Sequence, residues 1–595
     1  MRRRDFLLAP ALQLAAAAGS PRMQPVPARE VEVSGLLGQA MEASRRGRLH
    51  TFVTDEHSKP IALFSPAARA ANFAGDWYGE HAGKWLYTAA RAAARTGDGA
   101  LAGAIRRVAA YLVSVQEPDG YLGTYAPAAR MTSDAAYNTR RTWDVWVHAY
   151  LIIGLLEVHR YWSDDRWLAA ARGIGDLCVR LFGQGSKSVA YMGSHVGLSG
   201  TVLLEPVVDL YRATSDARYL DLARRIVRQM EERPGLELVS KILAGQDIEQ
   251  VGDGKIYQLC WTLVGLAKLH AETGDAGWLR ASLEAWRNIR EDHLTLDGGP
   301  WGGIGRFSEV FNPKGFFSPA GFVETCSTMS WIHLNRELLH LTGEARYAAE
   351  IERTAYNALL GAQDPNGEDW CYFIYPNGKR INTYYWACCK SSGALALEEI
   401  APLVYGRTPV GVAVNLYTPS RATVDGMRIA QETGYAASGR VVLRVGSRSA
   451  LPLLLRIPEW AAGASAAVNG APWREKPVPG AYLEIAREWQ PGDTVALDFP
   501  MEPKVHRRSQ TAVQDGKELW RRDYVAVTRG PLVYASGLID GYKREETLRF
   551  PVAVEERGQV LLQAAGRAPI PLRPYYEADG RKNGARRLTW FETAE

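Results

Sequence analysis

A short turn signal recurs along residues 96–350 and constrains the fold more than any other feature of this chain. Most copies follow an apolar segment of helical period, and the last four precede a pair such as Trp167-Leu168 that opens an amphipathic helix. The copies are Thr96-Gly97-Asp98, Ser163-Asp164-Asp165, Thr214-Ser215-Asp216, Thr273-Gly274-Asp275 and Thr342-Gly343-Glu344. Each supplies turn residues, and its acid suits the N-terminus of the next helix. The pattern predicts inner and outer helices that alternate, with one pair about every 60 residues.

Helix pairs repeated at this spacing build either an open solenoid or a closed toroid. Long irregular segments between the pairs, such as residues 182–200 and 295–321, favour a toroid whose loops roof a cavity. The chain between Ala70 and Tyr405 has room for about six pairs. We therefore predict an (α/α)6-barrel catalytic domain over residues 70–408, preceded by an N-terminal lead-in over residues 21–69.

The sequence pattern changes near Pro409, so the chain is predicted to be a multidomain α plus β protein. Short β-branched or alternating runs follow, and turn signals such as Asn469-Gly470 separate them. The runs are residues 412–417, 440–445, 453–457, 482–486, 494–499 and 524–528. Strands at this spacing predict a β-sandwich domain over residues 409–553. Residues 554–595 form a less regular C-terminal tail, which the pattern does not place.

The first 20 residues have the composition of an export signal. Arg2, Arg3 and Arg4 precede an apolar, Ala-rich segment that ends in small residues before Ser20. The Arg3-Arg4-x-Phe6-Leu7 arrangement resembles a twin-arginine signal, and an ordinary secretory signal with a chance arginine pair is the alternative. We expect export to the periplasm or the extracellular space by the twin-arginine route. That route carries folded proteins, so a metal ion could be loaded before export.

The amino-acid composition indicates which kinds of molecule the protein binds. The 70 basic and 65 acidic residues are mixed along the chain without a basic block, which argues against nucleic acid as a partner. No apolar run of membrane-spanning length follows the signal, so no membrane span is expected in the mature chain. The 18 tryptophans suit the flat faces of sugar rings, although core packing explains most aromatic residues.

The six cysteines divide into two groups. Cys178 and Cys260 lie on apolar helical runs and Cys371 lies in an aromatic stretch, which is typical of buried thiols that pack as small hydrophobes. Cys326 instead starts a helix in Glu324-Thr325-Cys326, and Cys388-Cys389 stand side by side. Adjacent cysteines rarely form an unstrained disulfide. These three thiols and a carboxylate could make a four-ligand zinc site, although the spacing is unusual and three unrelated thiols are the alternative.

Several segments between residues 70 and 535, in the expected order, resemble glycoside hydrolase family 127. They are Gly79-Glu80-His81-Ala82-Gly83-Lys84-Trp85, Trp143-Asp144-Val145-Trp146-Val147-His148, Gly321-Phe322-Val323-Glu324-Thr325-Cys326, residues 352–360, the pair Cys388-Cys389, and Arg529-Gly530-Pro531-Leu532-Val533-Tyr534. The resemblance implies a β-L-arabinofuranosidase on an (α/α)6 barrel with β-sandwich domains. It also implies a zinc ion bound by one Glu and three Cys, with one cysteine of the vicinal pair as the nucleophile.

Carried onto this sequence, the resemblance implies specific roles. The zinc ligands would be Glu324, Cys326, Cys388 and Cys389, and Cys388 would also be the nucleophile. Glu309 would be the acid/base, since the family's acidic residue lies in the loop before the Glu-Thr-Cys segment. The residues implied at the sugar are His148, His195 and Trp386.

The implied chemistry is coherent on its own terms. A retaining glycosidase needs a nucleophile and an acid that flank the anomeric carbon. A free thiol is mostly protonated at neutral pH, so a zinc ion that holds it as thiolate would permit attack. Glu309 would protonate the departing oxygen and then deprotonate the water that hydrolyses the thioglycoside.

Three departures from the family pattern bear on the substrate. Lys390-Ser391-Ser392-Gly393 follows the cysteine pair without the expected proline, Trp386 stands near a position for histidine, and Lys255 lies in a segment that lacks an expected histidine. If Lys255 points inward, its charge favours a carboxylated sugar; if it is solvated on a loop, the sugar is neutral. We expect a terminal β-L-arabinofuranoside or a related plant-wall sugar, with a carboxylated sugar as the alternative.

Two other functions remain open at this point. A toroidal glycosidase or lyase could work with carboxylates, while the cysteines hold only a structural zinc. A carbohydrate-binding protein could have kept the barrel and lost hydrolysis, although the presence of Cys388 and Glu309 argues against it.

Overall fold

A computed structural model of the protein describes residues 21–73, 75–132, 142–302, 309–514, 517–537 and 547–594. The predicted export signal, residues 1–20, lies outside the described residues. No helix within these ranges is both long enough and apolar enough to cross a membrane.

The helical part contains the α-helices α1 to α18. In chain order they are Gly35–Ser44, Lys59–Ala62, Pro66–Ala71, Glu80–Thr96, Gly99–Ser114, Asp144–Trp162, Asp165–Cys178, Leu198–Thr201, Leu204–Thr214, Ala217–Glu232, Leu238–Leu243, Ile256–Thr273, Ala276–Asp292, Thr325–Thr342, Ala345–Thr354, Leu360–Ala362, Cys388–Glu398 and Ala401–Val404.

Six of these helices form a closed inner ring. Contacts run from α4 to α6, α9, α12, α14 and α17, and then back to α4. Each inner helix also contacts an outer one, namely α5, α7, α10, α13, α15 and α1 in the same order. This arrangement is the predicted barrel of six helix pairs. Because each outer helix returns the chain, all six inner helices begin at the same end of the barrel, which is where chemistry-bearing residues can meet.

The recurring turn signal does what the sequence predicts at four of its five copies. Asp98, Asp164, Asp216 and Asp275 each occupy an N-cap position and accept a hydrogen bond from a backbone N–H of the following helix. Glu344 holds the equivalent position without a capping bond, and its side chain pairs with Arg346 instead. The residue before each capping acid is left-handed, which ends the preceding inner helix.

The strands β1 to β25 build the remainder of the described structure. In chain order they are Gln24–Pro25, Val31–Val33, Trp301–Gly302, Phe322–Glu324, Phe373–Ile374, Asn377–Lys379, Tyr405–Arg407, Val412–Val414, Ser420–Val424, Met427–Thr433, Arg440–Val445, Leu453–Arg456, Ser465–Val468, Ala471–Pro472, Tyr482–Ile485, Thr494–Asp498, Pro503–Gln514, Lys517–Arg529, Leu532–Gly537, Leu548–Arg549, Val552–Glu556, Gln559–Gln563, Ile570–Pro574, Arg586–Leu588 and Phe591–Ala594.

Two sheets follow the barrel in the chain and confirm the β-rich part of the prediction. One has the order β1-β7-β8-β12-β15, and the other has the order β14-β13-β16-β11-β10-β9-β2. In the second sheet, strands such as β9 and β11 alternate buried and exposed residues, so that sheet has one apolar face. The lead-in contributes β1 and β2 to these sheets, which the sequence pattern did not indicate.

A third sheet contains the strands from residue 503 onward. Its main path is β20-β25-β18-β19-β23-β22-β21, and β17 pairs with β18. The predicted tail over residues 554–595 therefore supplies β22 to β25 and part of β21. Strand β24 also pairs with β6 from the helical part, so this sheet joins the barrel directly. The domain boundaries themselves remain a prediction.

Candidate active site

Four side chains from two helix starts form a compact cluster. Strand β4 ends at Glu324, which is the N-cap of α14, and Cys326 lies in the first turn of that helix. Cys388 and Cys389 are the first two residues of α17. The two helices are neighbours in the inner ring, so their N-termini bring the residues together. The partial positive charge of a helix N-terminus favours thiolate sulfur at these positions.

The geometry of the cluster matches a tetrahedral metal site. One ligand atom from each of Glu324, Cys326, Cys388 and Cys389 lies within 4.8 Å of all the others. Cys326 Sγ is 3.2 Å from Cys388 Sγ and 3.4 Å from Cys389 Sγ, and the adjacent pair is 4.0 Å apart. Tetrahedral zinc with sulfur at about 2.3 Å would place its sulfurs about 3.8 Å apart. The donor set and its spacing therefore fit zinc.

The pKa shifts of the cluster residues also indicate a metal site. Burial raises the pKa of the Cys326 and Cys389 thiols well above the ordinary value. Hydrogen bonds with the Cys326 and Cys389 thiols hold the pKa of Cys388 well below it. Burial also raises the pKa of Glu324 to about 8. A buried set of this kind carries little negative charge alone, so a dication is needed for all four groups to ionise.

A tyrosine joins the cluster to Glu309. Tyr372 Oη donates a hydrogen bond of 2.5 Å to Glu309 Oε1, and Cys388 Sγ lies 3.6 Å from the same hydroxyl. The Glu309 carboxylate is therefore within about 6 Å of the Cys388 sulfur, close to the roughly 5–5.5 Å between the two carboxyl groups of retaining glycosidases. The structure thus brings together the predicted nucleophile and the predicted acid/base.

Lys255 lies inside this site. It is the N-cap residue of α12 and is 3% exposed, so the solvated-loop alternative for Lys255 is wrong. Its Nζ pairs with Glu309 Oε2 and lies 3.2 Å from Glu324 Oε2. The Lys255 ammonium group therefore forms ion pairs with two carboxylates of the site and is shielded from solvent.

A second buried network lies behind the sulfurs. Lys84 Nζ donates to Glu80 Oε1 at 2.9 Å and to Ser392 Oγ at 3.0 Å. Ser392 Oγ is in turn 3.2 Å from Cys326 Sγ, and Trp146 Nε1 donates to the other oxygen of Glu80. Hydrogen bonds of this kind orient metal ligands and neutralise part of the thiolate charge.

Two of the three predicted sugar contacts lie near the cluster. Trp386 is two residues before Cys388 and stacks on Tyr78 with ring centroids 4.6 Å apart. His195 Nδ1 is 2.8 Å from Asp253 Oδ2, and Asp253 Oδ1 accepts a hydrogen bond from the Lys255 backbone N–H. His195 has φ of 58°, a left-handed backbone that is uncommon outside glycine and is concentrated at functional sites.

The prediction for His148 needs correction. Its side chain is fully buried on α6, where its Nε2 accepts a hydrogen bond from Leu122 N at 3.1 Å and its ring packs against Tyr121. A histidine enclosed in this way has no surface for a sugar hydroxyl. On the same helix, Tyr150 lies closer to the site, since Lys84 Nζ is 4.7 Å from its ring centroid.

Three functional candidates escaped the sequence reasoning. Tyr372 lies in an aromatic stretch that reads as core, and Lys84 and Ser392 resemble ordinary helix residues. Their partners are more than 60 residues away in the chain, except for Tyr372 with Cys388 and Lys84 with Glu80. For Lys84 two signals were available, namely a glutamate four residues earlier and its place in a segment that resembles the family. By contrast, Cys178, Cys260 and Cys371 are buried as predicted.

One cavity of the barrel lies away from the cluster. It has a volume of about 830 Å³ and is lined by residues from the later turns of the inner helices and by the segment from Pro21 to Arg29. Its charged side chains pair with one another, as Arg336 does with Glu399 at 2.8 Å. None of the four cluster residues is among its lining residues, so this cavity is separate from the candidate active site.

Solved structures with the same overall fold include two family 127 enzymes. A β-arabinofuranosidase of that family is 23% identical, with a TM-score of 0.79 over 97% of this chain and 98% of that chain. A β-L-arabinofuranosidase from Geobacillus stearothermophilus T6 is 22% identical, with a TM-score of 0.77 over 95% of this chain and all of that chain (100%). At these identities the likeness concerns the fold. No protein with a curated function matches the chain.

Family profiles give the more specific result. Residues 38–401 match the profile of the β-L-arabinofuranosidase GH127 catalytic domain, and residues 411–501 match that of the GH127 middle domain. The first match alone spans more than half of the chain. The cluster, the paired acid and the barrel thus belong to a glycoside hydrolase, and this chain is a member of glycoside hydrolase family 127.

Proposed function

We propose that this enzyme hydrolyses terminal β-L-arabinofuranosides with retention of anomeric configuration, using Cys388 as nucleophile and Glu309 as acid/base. The family profile, named for β-L-arabinofuranosidase, supports the substrate. The single observation that carries the mechanism is the Tyr372 hydroxyl, which contacts both the Glu309 carboxylate and the Cys388 sulfur.

In the first step the Cys388 sulfur attacks the anomeric carbon. Cys388 is 9% exposed, whereas Cys326 and Cys389 are fully buried, so it is the sulfur that a sugar can reach. The C–S bond forms as the C–O bond to the leaving group breaks. Glu309 gives its proton to the departing oxygen, and Tyr372 fixes the orientation of that carboxyl group.

In the second step water replaces the sulfur. Glu309, now a carboxylate, takes one proton from a water molecule while the oxygen of that water attacks the anomeric carbon. The C–S bond breaks and its electron pair returns to Cys388, which regenerates both groups. Two displacements at the same carbon retain its configuration.

Glu324, Cys326, Cys388 and Cys389 would hold a zinc ion here. When bound, zinc would keep the sulfurs as thiolates at neutral pH. Ser327 Oγ donates to Glu324 Oε2 at 3.1 Å, and Ser392 lies against Cys326, so the ligands are held in place from behind.

The position of Lys255 favours a neutral sugar. An unpaired buried cation would bind a carboxylated substrate more tightly than a neutral one. The Lys255 ammonium, however, is already paired with Glu309 and Glu324. Replacing it should therefore leave the choice between sugars unchanged. The Lys255→Met variant should turn over matched neutral and carboxylated glycosides in the same ratio as wild type, whereas a specific loss on the carboxylated substrate would favour the carboxylated alternative.

The experiment that tests the function uses anomerically pure substrates. The purified enzyme should hydrolyse p-nitrophenyl β-L-arabinofuranoside, and NMR of early product should show the β anomer of L-arabinose. The α-L-arabinofuranoside and the β-D-xylopyranoside are matched controls. Absence of turnover on the β-L-furanoside, or an inverted first product, would refute the proposal.

We also propose that the enzyme acts outside the cytoplasm after export by the twin-arginine route. The proposal rests on the sequence of residues 1–20, in particular Arg3 and Arg4. Replacing both arginines by lysine should leave the protein in the cytoplasm of the expressing bacterium. Unchanged export of this variant would favour an ordinary secretory signal.

A further inference from the structure

Three aromatic residues stand in a row just before the cysteine pair. We call Tyr384, Tyr385 and Trp386 the aromatic lip. They lie in a turn that the Ala387 N–H closes by donating to Tyr384 O at 3.1 Å, and α17 begins at the next residue, Cys388. The lip is therefore fixed to the same helix start that supplies the candidate nucleophile.

Exposure rises outward along this segment, apart from the fully buried Ala387. Cys389 is fully buried, Cys388 is 9% exposed, and Trp386 is partly buried. Tyr385 is 37% exposed and Tyr384 is 55% exposed. After burial, the negative charge of the Cys388 sulfur is the main cause that raises the pKa of Tyr384 to about 12, so the Tyr384 hydroxyl lies within the field of the cluster. The lip thus leads from solvent to the reacting sulfur.

The surrounding residues hold the lip in place. Trp386 stacks on Tyr78, and its carbonyl oxygen is 3.2 Å from His81 Nε2. The Tyr385 ring packs edge-on against Trp386, with centroids 5.0 Å apart, and against Phe52 at 5.2 Å. Ordered aromatic rings lose little conformational entropy when a ligand stacks on them.

We propose that the aromatic lip is the binding site for the leaving group of the substrate, and that it takes a neutral pyranose ring. This inference rests on the proposed function. The anomeric carbon must lie at Cys388, and the leaving group departs on the side opposite the attacking sulfur, where Glu309 protonates its oxygen. The rest of the leaving group must extend toward solvent, and the lip is the exposed segment that adjoins Cys388. The exposed ring of Tyr384 offers the flat apolar face on which the C–H face of a pyranose stacks.

The test compares two substrates that share one glycone. One is methyl β-L-arabinofuranoside, which has almost no leaving group, and the other carries the same sugar on a neutral hexopyranose. In Tyr384→Ala, kcat/KM for the disaccharide should fall roughly tenfold while that for the methyl glycoside stays within about twofold. Tyr385→Ala should show the same selectivity to a smaller degree. Tyr384→Phe keeps the ring and should restore the disaccharide rate.

Phe550→Ala removes a similarly exposed ring from the C-terminal sheet region and should change neither substrate. If wild type cleaves both substrates and the ratio of their kcat/KM values is unchanged in Tyr384→Ala, the lip is not the leaving-group site, although the proposed function stands. If wild type cleaves neither substrate, the proposed function fails and this inference fails with it.

Discussion

At the scale of single residues, Glu309 is the carboxyl group that the Tyr372 hydroxyl links to the Cys388 sulfur, which is the position that an acid/base would occupy. Its two oxygens are engaged by Tyr372 and Lys255, yet the side chain keeps partial exposure toward the site. We expect Glu309→Gln to lose about 10²–10⁴-fold in kcat on glycosides with poor leaving groups. Activated aryl glycosides need little protonation and should lose far less in the first step. A Brønsted plot of rate against leaving-group pKa measures this, and equal losses on all substrates would contradict the role.

His148 gives a prediction about stability rather than catalysis. Burial lowers its pKa to about 4, whereas in the unfolded chain it has the ordinary value near 6.5. Below pH 6.5 the unfolded state therefore binds a proton that the folded state does not, and this contribution to stability is lost as pH falls toward 4.

Relative to His148→Gln, wild type should lose about 2 kcal/mol of unfolding free energy between pH 7 and pH 5. Urea denaturation of both proteins at the two pH values checks this. A difference between the two proteins that does not vary with pH would show that His148 is not buried in its neutral form.

The four residues of the cluster could be predicted from the sequence, whereas the residues that contact them could not. Vicinal cysteines, a Glu-Thr-Cys segment and their resemblance to a family are local patterns. Tyr372 and Ser392 acquire their roles only when strands and helices far apart in the chain meet, as with the contact between Tyr372 and Glu309. His148 shows the converse error, because its helix was predicted correctly but the face it occupies was not.

At the scale of elements, the capping acids explain why the helix pairs are regular. Asp275 accepts a hydrogen bond of 2.8 Å from Gly277 N at the start of α13, whereas Glu344 makes no such bond at the start of α15. Asp275→Ala should therefore cost about 1 kcal/mol of unfolding free energy. Glu344→Ala removes only an exposed ion pair and should cost less than about 0.5 kcal/mol. Equal effects in chemical denaturation would contradict the capping account.

Elements with local signals were predictable, and long-range strand pairings were not. The turn triplets indicated the helix pairs, and alternating runs indicated β8, β11, β12, β15, β16 and β18. Strands β1 and β2 lie more than 350 residues before the strands they pair with. Their short sequences do not indicate that pairing, because their register is set by the strands β7 and β9 in the folded protein.

At the scale of the whole molecule, the affinity of the cluster for zinc should depend on pH. Because burial raises the pKa of Cys326 and Cys389, zinc must displace protons from these thiols when it binds. We expect one zinc per chain by elemental analysis and an affinity that falls as pH is lowered from 8 to 6. Cys326→Ser should reduce the zinc content, whereas Cys178→Ser, on an outer helix, should not. Zinc content unaffected by Cys326→Ser would contradict the ligand set.

The central claim is that the Cys388 sulfur bonds to the sugar. The most direct measurement is rapid acid quenching of the enzyme during turnover of an activated β-L-arabinofuranoside, followed by peptide mapping by mass spectrometry. Slowing the second step with Glu309→Gln should raise the amount of trapped intermediate, and Cys389→Ser distinguishes the two adjacent sulfurs. The account predicts one pentosyl group on the peptide containing Cys388, attached at that sulfur. A pentosyl group on a carboxylate, or turnover by Cys388→Ser at the wild-type rate, would contradict it.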